Sequence, residues 1–280
     1  MRTDLHSHTT ASDGTLSPTA LVTLAQQRNI GVLAITDHDT VAGHAEAMAA
    51  GEALGVQVVR GIEVSALSDE GKEVHVLGYG VQPDDDATCT KIESLRDVRE
   101  ARAKALLSKL SALGITINFE RVKALAGDGM IGRPHVARAM LEAGMVRTVN
   151  QAFDDYLGEG KAAFVAHEGL TPQQAIALIH RAHGAAVLAH PMLYKGNLDG
   201  LLQDAIAGGL DGIEAFYPAH TPEQTQHFVR LAQKQCLVVT GGSDFHGPIG
   251  DLEVSLGTIS LPDDAIAKLD ARIKNYSNMN

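Results

Sequence analysis

The strongest constraint on this chain is an alternation of short apolar runs with segments of helical length. The runs at 3–5, 32–35, 56–59, 74–79, 185–188, 212–215 and 237–240 read as strands. The segments at 18–28, 40–54, 171–182, 199–207 and 222–233 read as helices between them. Pro18 after Ser17 and Pro172 after Thr171 are helix starts, a capping hydroxyl followed by proline in the first turn. Gly31, Gly55 and Gly184 each stand between a helix and the next strand, where helix-terminating glycines belong. Strand–helix alternation of this kind predicts parallel strands joined by right-handed crossovers. The repeats are too numerous for a two-layer fold, so an α/β architecture, a distorted TIM-like (β/α) barrel, is expected.

The rhythm breaks between about residues 90 and 160. A long helix at 93–113 carries Arg96, Arg99, Arg102 and Lys104, and further helical stretches follow at 119–126, 134–143 and 150–157. We read this as a small all-helical insertion at 91–159 between two barrel strands, the barrel comprising 1–90 and 160–280. The tail after Leu261 predicts one more helix with a frayed Asn-rich end. At 280 residues and 45% hydrophobic content the chain can bury a barrel-sized core. It has no apolar run long enough to span a bilayer and no apolar signal-peptide core, so a cytoplasmic protein is expected. Cys89 and Cys236 lack any metal or redox spacing and read as ordinary thiols. A formal charge of −11 argues against coating duplex DNA, which needs a basic footprint, but not against a small anionic substrate.

Ligand-type residues crowd the strand ends. His6 and His8 follow the first strand, and residues two apart in an extended chain share a face, so both imidazoles can aim at one ion. Thr36-Asp37-His38-Asp39 follows the second strand, and Gly61-Ile62-Glu63 the third. Ala189-His190-Pro191 and Gly242-Ser243-Asp244-Phe245-His246 follow later ones. Residues at the C-terminal ends of barrel strands converge on one open face, where barrel chemistry sits. His75 is the exception, early in its strand. Asp37 reads as ligand support or a helix cap, and Asp39 as a cap of the following helix. Taken together the strand ends predict a polynuclear metal centre with nitrogen and oxygen ligands.

In this combination and order the motifs resemble the PHP (polymerase and histidinol phosphatase) superfamily. The resemblance implies a distorted (β/α)7 barrel holding two to three divalent ions, manganese first, with zinc or iron as alternatives. It implies a first ion among His6, His8, Glu63 and Asp244, with Glu63 bridging to a second held by His75 and His190. Asp13, His38 and His246 would hold a third, although many relatives carry histidine where this chain has Asp13. Catalytic roles fall to His38, Asp13 and Asp244. The segment 131–138 (Ile-Gly-Arg-Pro-His-Val-Ala-Arg) resembles the branch that removes the 3′-phosphate from nucleoside 3′,5′-bisphosphates or trims short oligoribonucleotides 5′→3′. Arg133 and His135, joined by Arg99 and Arg102, would then clamp substrate phosphate. In such a centre the ions lower the pKa of a bridging water, which attacks phosphorus in line. The expected partner is a nucleotide or short oligoribonucleotide, with no membrane, no duplex DNA and no obligate protein partner. Alternatives are a histidinol-phosphate phosphatase, against which the arginine-bearing insertion weighs, and a metal amidohydrolase, which usually bridges its ions with a modified lysine rather than a glutamate.

Overall fold

Strands β1 (Arg2–Asp4), β2 (Ile30–Ile35), β3 (Gln57–Leu67), β4 (Glu73–Tyr79), β5 (Ala185–Leu188), β6 (Gly212–Phe216) and β7 (Val238–Gly241) lie side by side in chain order in one seven-stranded sheet. The computed structural model describes residues 2–166, 169–247 and 255–277. In β2 the side chains of Leu33 and Ile35 pack outward under the helices, while Val32 and Ala34 join a second cluster with Leu5, Leu77 and Val187. Both faces of the strand are therefore buried, which is why it reads as an unbroken apolar run.

The sheet closes on itself just beyond its strands. Leu5 N–H donates to the Gly241 carbonyl (3.2 Å), Asp244 N–H to that of His6 (2.9 Å) and His8 N–H to that of Phe245 (2.9 Å). Gly242 permits this approach, since a Cβ there would lie 2.3 Å from the His6 nitrogen. Inside the closed sheet the buried Tyr79 hydroxyl donates to the Leu5 carbonyl at 2.9 Å.

The helices of the barrel are α1 (Pro18–Gln27), α2 (His44–Leu54), and, after the helices of the insertion, α7 (Pro172–Arg181), α8 (Leu198–Ala207), α9 (Pro222–Gln235) and α10 (Ala265–Ser277). Ser17 caps α1, and Thr171 with Gln174 forms a reciprocal capping box on α7. Of the three glycines read as helix terminators, Gly55 takes the left-handed conformation (φ 70°); at the other two junctions Asn29 and His183 take it. Gly31 lies inside β2 instead. The Asn-rich end beyond 277 lies outside the described residues. Among the described residues no helix is long and apolar enough to cross a membrane.

One expectation fails. The strands are not all parallel: β4 runs antiparallel to both β3 and β5. Residues 68–72 form a tight turn, with Ser68 N–H donating to the Lys72 carbonyl (2.9 Å) and Gly71 at φ 71°. A parallel crossover needs about a dozen residues or more, so this connection can only make a hairpin. β3 also runs far beyond 59, because polar Glu63 and Ser65 interrupt its apolar pattern without ending the strand.

Between β4 and β5 stand α3 (Asp86–Ala112), α4 (Phe119–Ala126), α5 (Arg133–Glu142) and α6 (Val149–Ala152), the last continuing as a wider turn at Phe153–Leu157. The inner face of α3 packs Ile92 and Leu95 into the barrel cluster and Ala103, Leu106 and Leu110 into a separate cluster with Val136 and Met140. Arg99 falls on this same face, at the junction of the two clusters.

Candidate metal centre

Each ligand-type residue reaches one mouth of the barrel by its place in the sheet. His6 and His8 extend β1 along the closing seam, and His38 follows β2, pairing with Glu63 of β3. His190 follows β5, while Asp244 and His246 follow β7. The antiparallel course of β4 resolves the anomaly of His75, because the start of β4 opens at the same mouth as the ends of its neighbours β3 and β5.

Glu63 is the hub and is 1% exposed. Its Oε2 lies 3.2 Å from His6 Nε2, 3.1 Å from His8 Nε2 and 3.2 Å from His38 Nδ1. Its Oε1 lies 2.9 Å from His75 Nδ1 and 3.0 Å from His190 Nε2. Asp244 Oδ1 closes on the Nε2 atoms of His6 (3.3 Å) and His8 (3.2 Å). Asp13 stands apart, with carboxylate oxygens 3.3 Å from His246 Nε2, 3.8 Å from His8 Nδ1 and 3.9 Å from His38 Nε2. Three groups among the described residues could each hold an ion: His6, His8, Glu63 and Asp244; His38, Glu63 and His75; and His8, Asp13, His38 and His246. His38 thus faces two of these groups through its two ring nitrogens, and His190 adjoins the second through Glu63 and His75.

The donor set fits a divalent cation. Both nitrogens of His8, His38 Nδ1 and Asp244 Oδ1 are buried without a well-formed hydrogen bond. Such atoms are costly unless something satisfies them, and they point at one another. Imidazole and carboxylate without thiolate suit manganese, iron and zinc.

Without an ion, the carboxylates and imidazoles of the centre hold one another's charges. Burial opposes ionisation of Glu63, Asp13 and Asp244, yet neighbouring imidazoles, His38 or His6 foremost, hold all three well below the usual carboxylate range. Burial likewise opposes a charge on His246, but Asp13 and Asp244 raise it to about 10. For His38 burial prevails and its pKa falls to about 3. Protons and cations therefore compete for the same atoms. The backbone is strained here too, with Asp39 (φ 55°), His190 (φ 24°) and Asp244 (φ 55°) all outside the usual regions for non-glycine residues.

Behind these residues lies a layer of buried carboxylates that sequence reasoning missed or misplaced. Asp4 accepts from the backbone N–H groups of His6 (3.3 Å), Ser243 (2.9 Å) and Gly257 (2.7 Å), tying the closing seam together. Asp37 accepts from Thr9 N–H, Thr9 Oγ1 and Ser12 Oγ, each at 2.7 Å, and so fixes the loop that carries Asp13. Asp39 does not cap a helix, since α2 begins only at His44 behind Gly43. It accepts from Ser65 N–H (2.8 Å) and pairs with Arg99. Tyr217 donates to Asp244 Oδ2 at 2.9 Å, and Glu214 bonds His6 and His190. Glu214 did leave a sign in the sequence, a lone carboxylate inside the apolar run of β6.

A cavity of about 470 Å³ opens over the centre. Ligand-type residues His38, Glu63, His75, His190, Asp244 and His246 line its floor, while Arg133, Phe153 and Lys161 from the 86–164 side and Leu193, Tyr194 and Lys195 line its walls. Arg133 lies over the Phe153 ring (5.9 Å) and donates to Glu73 at 2.7 Å. The other three residues expected to clamp phosphate do not line this cavity. Arg99 is buried and bonds Asp39 and Ser65, and Arg102 bonds Glu73 and the Val165 carbonyl. His135, which burial brings down to about 4, accepts the Gly132 N–H at 3.0 Å and faces a separate cleft with Arg138.

Comparison with known proteins agrees with this geometry. The PHP domain model matches residues 4–186. A 5′-3′ exoribonuclease of Haemophilus influenzae is 40% identical over 256 residues, covering 90% of this chain and 92% of that protein. A 3′,5′-nucleoside bisphosphate phosphatase of Chromobacterium violaceum is 35% identical over 249 residues, covering 88% of this chain and 87% of that one. A solved structure from the same organism, described as an amidohydrolase with bound sulfate, superposes with a TM-score of 0.88 at 34% identity over 97% of both chains.

Proposed function

The chain belongs to the PHP domain family, and on that premise we propose a metal-dependent phosphohydrolase that removes the 3′-phosphate from nucleoside 3′,5′-bisphosphates to give nucleoside 5′-phosphates. The observation that carries this reading is the cavity itself, with Glu63 and its imidazoles at one end and Arg133 over Phe153 at the other. One end suits a phosphoryl group undergoing substitution; the other suits an anionic group attached to a flat ring.

Trimming of short oligoribonucleotides 5′→3′ is the same chemistry on a longer substrate. In both reactions water attacks the 3′ phosphorus, the bond from phosphorus to the 3′ oxygen breaks, and that oxygen takes a proton. The bisphosphate is the limiting case in which no nucleoside follows the 3′-phosphate. The exoribonuclease and bisphosphatase names of the two relatives support this shared reading.

Two or three divalent ions, manganese first with zinc or iron as alternatives, would be held by His6, His8, Asp13, His38, Glu63, His75, His190, Asp244 and His246. When bound they supply Lewis acidity and a water acidic enough to react near neutral pH. The chain's own groups do the rest. Arg133 presents a planar fork to a substrate phosphate once Glu73 yields it. Asp244 lines the cavity floor, and His38 Nε2 faces Asp13 Oδ2 across 3.9 Å, a gap one water can span. The helices of 91–159 act as a substrate cap, since Arg133 and Phe153 come from them. Glu63 at the hub, where a metal amidohydrolase would usually have a modified lysine, favours phosphoester chemistry.

The deciding experiment follows phosphate release from nucleoside 3′,5′-bisphosphates and histidinol phosphate, and release of nucleoside 5′-phosphates from 5′-phosphorylated short RNA, with manganese or zinc supplied. We expect turnover of the bisphosphates and the RNA. Preference for histidinol phosphate would overturn the reading, and equal turnover of every phosphomonoester would remove the role given to Arg133.

A further inference from the structure

Glu214 belongs to none of the groups that could hold an ion, yet it is fully buried against His6, a member of one, and against His190, which adjoins another. Its Oε1 accepts from His6 Nδ1 at 3.0 Å, and its Oε2 accepts the backbone N–H of His190 at 2.7 Å. The first bond selects a tautomer. A carboxylate facing Nδ1 keeps the proton there, so Nε2, which lies beside Glu63 Oε2 (3.2 Å) and Asp244 Oδ1 (3.3 Å), is the nitrogen left to give its lone pair to an ion.

The second bond acts on a strained backbone. His190 sits at φ 24°, ψ 59°, and this turn brings its Nε2 to 3.0 Å from Glu63 Oε1 and 3.3 Å from His75 Nδ1. The rings of His6 and His190 stack with centroids 5.7 Å apart. The register of β6 against β7 slips between Glu214 and Phe216, the kind of irregularity that re-aims a strand side chain. One carboxylate therefore sets a ring on the Oε2 side of Glu63 and another on the Oε1 side.

We propose that Glu214 is a positioning residue that couples the two ion-binding groups sharing Glu63, so that their ions load together. This rests on the metal reading above. Glutamine at this position has one acceptor oxygen, so it can serve His6 or His190 but not both.

The test titrates chelator-stripped protein with Mn2+ or Zn2+ by calorimetry and follows histidine ring nitrogens by NMR in the metal-free chain. We expect the parent protein to load in one steep step with His6 protonated at Nδ1. Glu214→Gln should lose about 10–100-fold in affinity, split the isotherm into separate steps and show mixed His6 tautomers. Glu214→Asp, which keeps the charge, should restore the tautomer in part. An unchanged isotherm in Glu214→Gln would overturn the proposal. So would a His6 without a proton on Nδ1 in the parent chain, a measurement that needs no variant to fold. If the parent protein binds no ion, the metal reading falls, and the His6 tautomer alone then decides the role of Glu214.

Discussion

The two ends of β6 hold two buried clusters built from the same materials, and only one of them is unfinished. Asp211, just before β6, accepts from His180 Nε2 (2.9 Å), Ala186 N–H (2.9 Å), Arg272 Nη1 (3.1 Å) and Tyr276 Oη (2.9 Å). Each of its oxygens meets two donors, and His180 stacks on Tyr276 at 4.5 Å. At the mouth, beyond the other end, His8, His38 and Asp244 keep buried atoms without a well-formed hydrogen bond. A histidine beside a carboxylate is therefore not the mark of a metal site. The mark is polar capacity left over inside a closed fold. At about 1–3 kcal/mol for each unmet group, such capacity persists where something else meets it.

Glu63→Gln is the sharpest way to break the comparison. It removes the one charge shared by both sides of the mouth while keeping its shape. Loss of a residue that merely supports a ligand costs about 10–100-fold in affinity, so loss of the hub should exceed about 100-fold in turnover. Metal content measured on purified protein should fall with it. In the parent chain an ion at about 100 times its Kd should stabilise the fold by about 2.7 kcal/mol, seen as a rise in Tm. Glu63→Gln should abolish that rise. If the variant keeps both metal and turnover, the mouth is as complete as the Asp211 cluster and the centre has been misread.

Arginine offers the next contrast. Arg133→Ala removes a charge-assisted contact of about 1.5–3 kcal/mol, which amounts to roughly 10–100-fold in kcat/KM for bisphosphates. Bound metal stoichiometry should stay intact, and loss of metal instead would refute the clamp role. Arg99→Ala should act through the fold. It breaks the buried Arg99–Asp39 pair, costing about 3–5 kcal/mol of stability. Urea unfolding separates the two variants.

Most residues of the mouth were legible because they follow apolar runs, and Glu63 does so too although its strand continues past it. Asp4 and Glu214 were harder to find, lying within strands, where a carboxylate looks like a break in pattern rather than a support. The reversed direction of β4 was visible only as a misfit. His75 stood at the wrong end of its strand, and the hairpin at 68–72 explains why. Arg99 was misassigned for a readable reason. Its spacing with Ile92, Leu95, Ala103 and Leu106 puts it on the core face of α3, and a charge on that face finds a buried partner rather than a substrate. A barrel was expected, but the bonds that close it were not legible, because they join backbone groups of loops far apart in the chain.

Asp211→Asn should have the smallest effect on turnover and the clearest effect on stability. Burial opposes the charge on Asp211, but His180, the Ala186 N–H and Tyr276 outweigh it and lower its pKa. The folded chain therefore takes up this proton less readily than the unfolded one. The resulting stabilisation is complete above the ordinary carboxylate pKa of about 4, and is lost as pH falls through the lowered folded value. Asparagine leaves one donor facing donors, so the variant should lose about 1–3 kcal/mol at neutral pH. In urea unfolding between neutral pH and pH 3, its curve should approach that of the parent as the pH falls. Metal content and turnover per folded molecule should not change. A shift in metal affinity in Asp211→Asn would show that the Asp211 cluster governs the mouth through β6, and the division between a finished and an unfinished cluster would no longer hold.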